Sequence, residues 1–239
     1  MNALTIDIEA LKFTWPGRNP FHLSIPKLEI ASSETVFLHG ASGSGKSTLL
    51  SLLGGVLVPQ QGRIGILGQE LTKLSSIKRD RFRADHLGFL FQQFNLLPYL
   101  SVIDNVLLPC RFSKLRRQRA LQTEKSLEKS ATRLLAELHL DTHLINQKVT
   151  ELSVGQQQRV AAARAMIGHP ELIIADEPTS ALDSDRQNAF LDLLLTQCTE
   201  SHATLLFVSH DQNLASRFSK SLAMADICSG ELPKQLDNL

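Results

Sequence analysis

Hydrophobic and polar positions alternate over residues 4–13 and again over 21–30. This predicts two strands, with the turn signals Pro16-Gly17 and Asn19-Pro20 between them. Together they predict a small antiparallel sheet beside a main one. The apolar run 35–38 reads as a buried strand, and residues 49–53 as a helix. A turn at 59–62 leads into a strand at 63–67 that ends at Gly68, and 75–83 reads as a basic, exposed helix. Residues 87–91 are a further buried-strand candidate, closed by Gln92-Gln93. Over 101–140 the period becomes helical: Ser101 to Asp104 resembles a capping box, and Leu127, Leu134, Leu135, Leu138 and Leu140 build one apolar face. Strand–helix alternation then returns. Residues 171–175 form a strand, and 183–198 a helix with Phe190, Leu191, Leu194 and Leu195 turned inward. After them come a strand at 204–208, a short helix and a last strand at 221–227. Such alternation implies an α/β fold whose parallel sheet works at the carboxyl ends of its strands, with an inserted helical block.

Composition narrows the classes. A chain of 239 residues with net charge +1 offers no basic surface for nucleic acid. Cys110, Cys198 and Cys228 match neither a disulfide framework nor metal-ligand spacing, which points to a reducing compartment. The first nine residues lack a basic start and an unbroken apolar stretch, so no signal peptide is expected. No apolar run approaches the roughly 20 residues that span a bilayer, so a soluble chain is expected, reaching a membrane only through a partner. The cluster Arg111, Lys114, Arg116, Arg117 and Arg119 fits a solvated helix face better than a contact with lipid headgroups.

Chemistry concentrates in Gly40-Ala41-Ser42-Gly43-Ser44-Gly45-Lys46-Ser47-Thr48, between the strand at 35–38 and the helix at 49–53. A glycine-rich loop in that context presents backbone N–H groups and a helix N-terminus to phosphate oxygens. Lys46 suits the β- and γ-phosphates, and the Ser47 hydroxyl suits Mg²⁺, so a nucleoside triphosphate ligand is implied. Three apolar strands end in polar groups: Asp176-Glu177, Gln92 and Ser209-His210. Asp176 suits the metal, Glu177 the attacking water and His210 the γ-phosphate. Gln92, with only an amide, suits contact with metal or water. In Leu152-Ser153-Val154-Gly155-Gln156, Ser153 and Gln156 form a second capping-box pattern at the start of a helix, an anion-binding end far in sequence from the phosphate loop.

In this order the motifs resemble the ATP-binding cassette of ABC transporters over almost the whole chain. The segment 91–98 looks most like cassettes that serve lipoprotein-release, macrolide-export and cell-division type permeases. The resemblance implies one ATPase domain over 1–239 with a phosphate-loop NTPase core. Residues 1–92 and 160–239 would carry the core and its β subdomain, and about 93–159 the helical subdomain. It implies ATP and Mg²⁺ as ligands, Trp15 in place of the usual tyrosine on the adenine, and Ser47, Gln92 and Asp176 around the metal. A second copy would supply Ser153, Val154, Gly155, Gln156 and Asp183 in trans across an ATP sandwich. An integral membrane permease would be gripped by Phe94, Leu96, Leu97 and Tyr99, holding the chain on the cytoplasmic face of the membrane. Val154 departs from the usual glycine, which predicts a tuned site rather than a dead one. Two rivals are an ATP-dependent scaffold of an envelope or division complex and a DNA-maintenance ATPase; the second wants a long coiled coil, which is missing.

Overall fold

The computed structural model describes residues 3–17 and 21–229, so the expected turn at Asn19-Pro20 lies outside them. In chain order the elements are β1 Leu4–Trp15, β2 Phe21–Ala31, β3 Thr35–His39, α1 Lys46–Leu53, β4 Gln61–Ile66, β5 Gln69–Glu70, α2 Ser76–His86 and β6 Leu87–Leu90. They continue with α3 Val102–Phe112, α4 Lys114–Thr123, α5 Leu127–Glu137, α6 Val154–Met166, β7 Leu172–Asp176, α7 Ser184–Glu200, β8 Thr204–Val208, β9 Lys220–Ala223 and α8 Met224–Ile227. This is the mixed α/β fold with one antiparallel and one parallel sheet that the alternation predicts.

Two units fold around their own contacts, Met1–Asp80 with Leu206–Leu239, and Arg81–Leu205. In the first unit the antiparallel sheet runs β2-β1-β4-β5. Along β1 the buried positions change parity: Ile6 and Ile8 are even, Leu11 and Phe13 odd. A bulge explains the change, since the register against β4 shifts between Glu9 and Lys12 and Ala10 takes a φ of 47°. Gly62 sits opposite at φ 88°, and a Cβ there would lie 2.3 Å from the Ala10 carbonyl oxygen, so only glycine fits. Beside this sheet β3 pairs in parallel with β9 from Val36↔Lys220 to His39↔Ala223. The strand expected over 221–227 therefore stops at Ala223, and Met224–Ile227 form a helical turn that buries Met224 and Ile227.

In the second unit β6 and β7 pair in parallel from Leu87↔Leu172 to Leu90↔Ala175. The helical block is α3, α4 and α5, each opened by a serine N-cap: Ser101, Ser113 and Ser126 accept from the backbone N–H groups of Asp104, Arg116 and Lys129. α6 is buried nearly all round by Val160, Ala161, Ala162, Ala163 and Ala165, small residues that admit close neighbours. α7 buries Phe190, Leu191 and Leu194 as expected, while Leu195 is only half-buried.

Arg116 corrects the reading of the basic cluster as a solvated face. It is 2% exposed, and its guanidinium donates to the carbonyls of Ile167 (2.7 Å), Ala165 (2.7 Å), Leu87 (3.2 Å) and Arg164 (3.3 Å). Three of these are the orphan carbonyls at the C-terminal end of α6, where a cation also opposes the helix dipole. Burial pushes the Arg116 guanidinium down to about 10, which leaves it cationic at neutral pH. Nearby, burial alone would raise the Glu171 carboxyl. Hydrogen bonds from His86 and Arg119, with their charges, hold it instead at about 2.

Candidate functional site

The candidate residues divide between the units. Trp15, the phosphate loop and His210 belong to the first; Gln92, Ser153–Gln156, Asp176, Glu177 and Asp183 belong to the second.

In the first unit β3 delivers the chain directly into the loop and α1 leaves it. Gly45, the N-cap of α1, has a φ of 97°, and Gly43 a φ of 76°. Crowding also holds Gly45 and Gly40 small. A Cβ on Gly45 would come within 2.8 Å of Phe21, and one on Gly40 within 2.9 Å of Met224. The Lys46 ammonium folds back over the loop, donating to the Gly40 carbonyl at 2.7 Å and the Ala41 carbonyl at 3.0 Å. Ser44 Oγ is buried with no hydrogen-bond partner among the described residues. A tight glycine cradle, a cation across its mouth and an orphaned buried hydroxyl are the donor set that a polyphosphate takes up. Ser47 is exposed on the first turn of α1. Trp15 is 43% exposed, stands edge-on to Phe13 at 5.4 Å, and donates its indole N–H to Thr48 Oγ1 at 3.1 Å. The ring is thus tied to the loop itself, a link that the sequence reading did not foresee. His210 is exposed just past β8, following the buried Ser209, whose hydroxyl accepts from the Asp211 N–H at 3.1 Å.

In the second unit the four buried residues Leu172–Ala175 lead β7 to the half-buried Asp176 and Glu177. Glu177 adopts a φ of 45°, a left-handed conformation that a non-glycine residue holds only when its surroundings impose it. One contact beside it comes from α6: Gln158, 1% exposed, donates its amide to the carbonyl of the next residue, Pro178, at 2.7 Å. Downstream, Thr179 is buried and accepts from Gln187 at 3.0 Å, and Asp183 caps α7 by accepting from the Arg186 N–H at 3.0 Å. Asp183 therefore has a local role beside the in-trans one expected of it.

Gln92 is exposed and precedes two consecutive left-handed residues, Phe94 (φ 58°) and Asn95 (φ 49°). Arg164 of α6 donates to both of their carbonyls, at 2.5 Å and 2.6 Å. The buried Asn105 holds the loop beyond, accepting from the Leu97 N–H at 2.8 Å and donating to the Leu97 and Ser101 carbonyls at 3.1 and 3.0 Å. Of the four residues expected to grip a permease, Phe94 is 7% exposed and belongs to the core, Leu96 and Leu97 are half-buried, and Tyr99 is 72% exposed.

The start of α6 carries the expected capping box. The Gln156 N–H reaches Ser153 Oγ at 3.4 Å, and Gln156 Oε1 accepts from the Ser153 N–H at 2.9 Å. Ser153 and Val154 are exposed. Apart from its chain neighbours and the nearby backbone of α6 itself, no described atom lies within 4 Å of where a Gly155 Cβ would sit. Gln158, Arg164 and Asn105 are not singled out by the sequence, and Arg116 is misread there, because their partners are backbone carbonyls and amides.

The family model described as ABC transporter matches residues 23–180. A lipoprotein-releasing system ATP-binding protein LolD of Hydrogenovibrio crunogenus is 40% identical over 198 residues, covering 83% of each chain. A macrolide export ATP-binding/permease protein MacB of Pasteurella multocida is 40% identical over 199 residues, 83% of this chain and 29% of that longer protein. Among solved structures, a dimeric post-hydrolysis state of the ATP-binding cassette MJ0796 bound to ADP and Pi superposes with a TM-score of 0.78. It has 34% identity over 96% of this chain and 97% of that one. On the matched motifs, the relatives and the fold, the chain belongs to the ABC transporter family and is one of its ATPases.

Proposed function

We propose that two copies of the chain close over two ATP molecules, each pocket pairing one copy's phosphate loop with the other's Ser153–Gln156, and that hydrolysis drives a separate membrane permease. The observation that carries this reading is Gly155. Glycine weakens a helix by up to about 1 kcal/mol relative to alanine, and Gly155 stands in the first turn of α6. Nothing within the described chain crowds the position, and its φ is not positive. The missing side chain therefore serves an approach from outside, at a helix N-terminus already suited to an anion. The dimeric cassette with 34% identity and the LolD relatives support the pairing and a lipophilic or envelope substrate extracted by the permease.

In this reading Trp15 stacks on the adenine, residues 40–48 with Lys46 hold the phosphates, Glu177 orients and deprotonates the attacking water, and His210 contacts the γ-phosphate. Ser47, Gln92 and Asp176 are oxygen donors of the kind Mg²⁺ prefers, and the ion when bound would neutralise charge on the β- and γ-oxygens. Asp183 meets the second copy, and Tyr99 leads the permease contact. Turnover falls when the Glu177 carboxylate becomes an amide, a poor base of the same shape. Glu177→Gln is accordingly expected to bind ATP and elute as a dimer with MgATP. A Glu177→Gln chain that stays monomeric at saturating MgATP would count against the pairing.

A further inference from the structure

Two polar side chains of α6, the buried Gln158 and the half-buried Arg164, serve neither its own capping nor its apolar core. Gln158 donates to the Pro178 carbonyl, next to the left-handed Glu177. Arg164 donates to the carbonyls of Phe94 and Asn95, the left-handed pair just beyond Gln92. The two side chains are six positions apart, about 9 Å along the axis at ~1.5 Å per residue. The same helix opens with Ser153–Gln156, and its far end is clamped by Arg116 through the carbonyls of Arg164, Ala165 and Ile167. All of these contacts lie within the second unit.

We propose that Gln158 and Arg164 are positioning residues: α6 is a crossbar that holds the Gln92 segment and the Glu177 turn in fixed register with the end that meets the second copy. The inference rests on the reading above for the roles of Gln92 and Glu177. Left-handed backbone at a bulky residue is maintained only by external contacts. For Phe94 and Asn95 the guanidinium fork supplies them, two carbonyls at once, in a geometry that a lysine ammonium cannot reproduce. Engagement at Ser153–Gln156 thus acts on a rigid element already bonded to both segments.

The test compares Arg164→Ala, Arg164→Lys and Gln158→Met in the full-length chain, with folding monitored by circular dichroism. ATP affinity should stay within about twofold of wild type, because the phosphate loop is untouched. Turnover at saturating ATP should fall about tenfold to a hundredfold, the loss expected when a reacting group shifts by about 1 Å. Arg164→Lys should recover only part of it. Hydrogen exchange at residues 91–95 should speed up in the Arg164 variants, and at 177–180 in Gln158→Met. Arg164→Ala combined with Gln92→Ala should be no slower than Gln92→Ala alone, since one acts through the other. Wild-type turnover in folded Arg164→Lys and Gln158→Met, or additive losses in the double variant, would overturn the inference. Wild-type turnover in Gln92→Ala would instead strike the role given to Gln92 itself. Should Arg164→Ala fail to fold, the Lys and Met variants decide alone.

Discussion

Arg116→Ala is expected to destabilise the chain far more than an arginine in a basic surface cluster should. The guanidinium is 2% exposed and donates to four carbonyls, two of them at 2.7 Å. Removing it leaves those carbonyls buried without their donor, at about 1–3 kcal/mol for each well-made bond. The two longer bonds, at 3.2 and 3.3 Å, add less. Against this stands relief from burying a charge, since burial lowers Arg116 to about 10, an offset on the order of 3 kcal/mol. Truncation to alanine also opens a cavity. The balance is a net loss of about 3–5 kcal/mol, as found when one partner of a buried charged contact is deleted. At about 2–4 °C per kcal/mol for a chain of this size, the midpoint of thermal unfolding should drop by about 6–20 °C. Parallel thermal melts of Arg117→Ala serve as the control, because Arg117 is exposed in the same helix. A fall in Tm no larger than that of Arg117→Ala would refute the reasoning and return Arg116 to the solvated face expected from sequence.

Trp15 is the single tryptophan, so its fluorescence should change on ATP binding; a silent titration with demonstrated binding would remove it from the adenine. Thr48→Val keeps the ring but deletes the acceptor of its N–H, and should weaken ATP binding about two- to tenfold, read by calorimetry. Lys46→Ala should abolish measurable ATP affinity, and normal binding would contradict the phosphate-loop assignment. Glu171, held at about 2 against 4.5 when unperturbed, lends stability above pH 4.5 that is lost as pH falls towards 2. Glu171→Gln should therefore lower Tm at neutral pH, and its gap from wild type should close across that window.

Most of the strands and the phosphate loop were legible because each rests on local signals: period, glycine placement, a lysine in register. The capping box at Ser153 was legible for the same reason. The shift of parity at Ala10 was also written in the sequence, but its meaning needed the opposing Gly62. Residues 221–227 misled because Leu222, Met224 and Ile227 satisfy a strand period first and a helical one afterwards. Arg116 was misread because buried arginines are rare and three of its four acceptors lie about fifty residues away, at the end of α6. Gln158 and Arg164 were invisible for a related reason, since backbone carbonyls leave no mark in a sequence.

The pairing of two copies is tested most directly by mixing two inactive chains. Lys46→Ala lacks a working phosphate loop, while Gly155→Asp places a carboxylate where no described atom stands in the way and like charge repels phosphate. Each alone should be inactive. Mixed in equal amounts they should regain about a quarter of the wild-type rate, since half the dimers are mixed and one pocket in each is whole. A mixture no faster than its separate components, or a fully active Gly155→Asp chain, would contradict a pocket shared between copies.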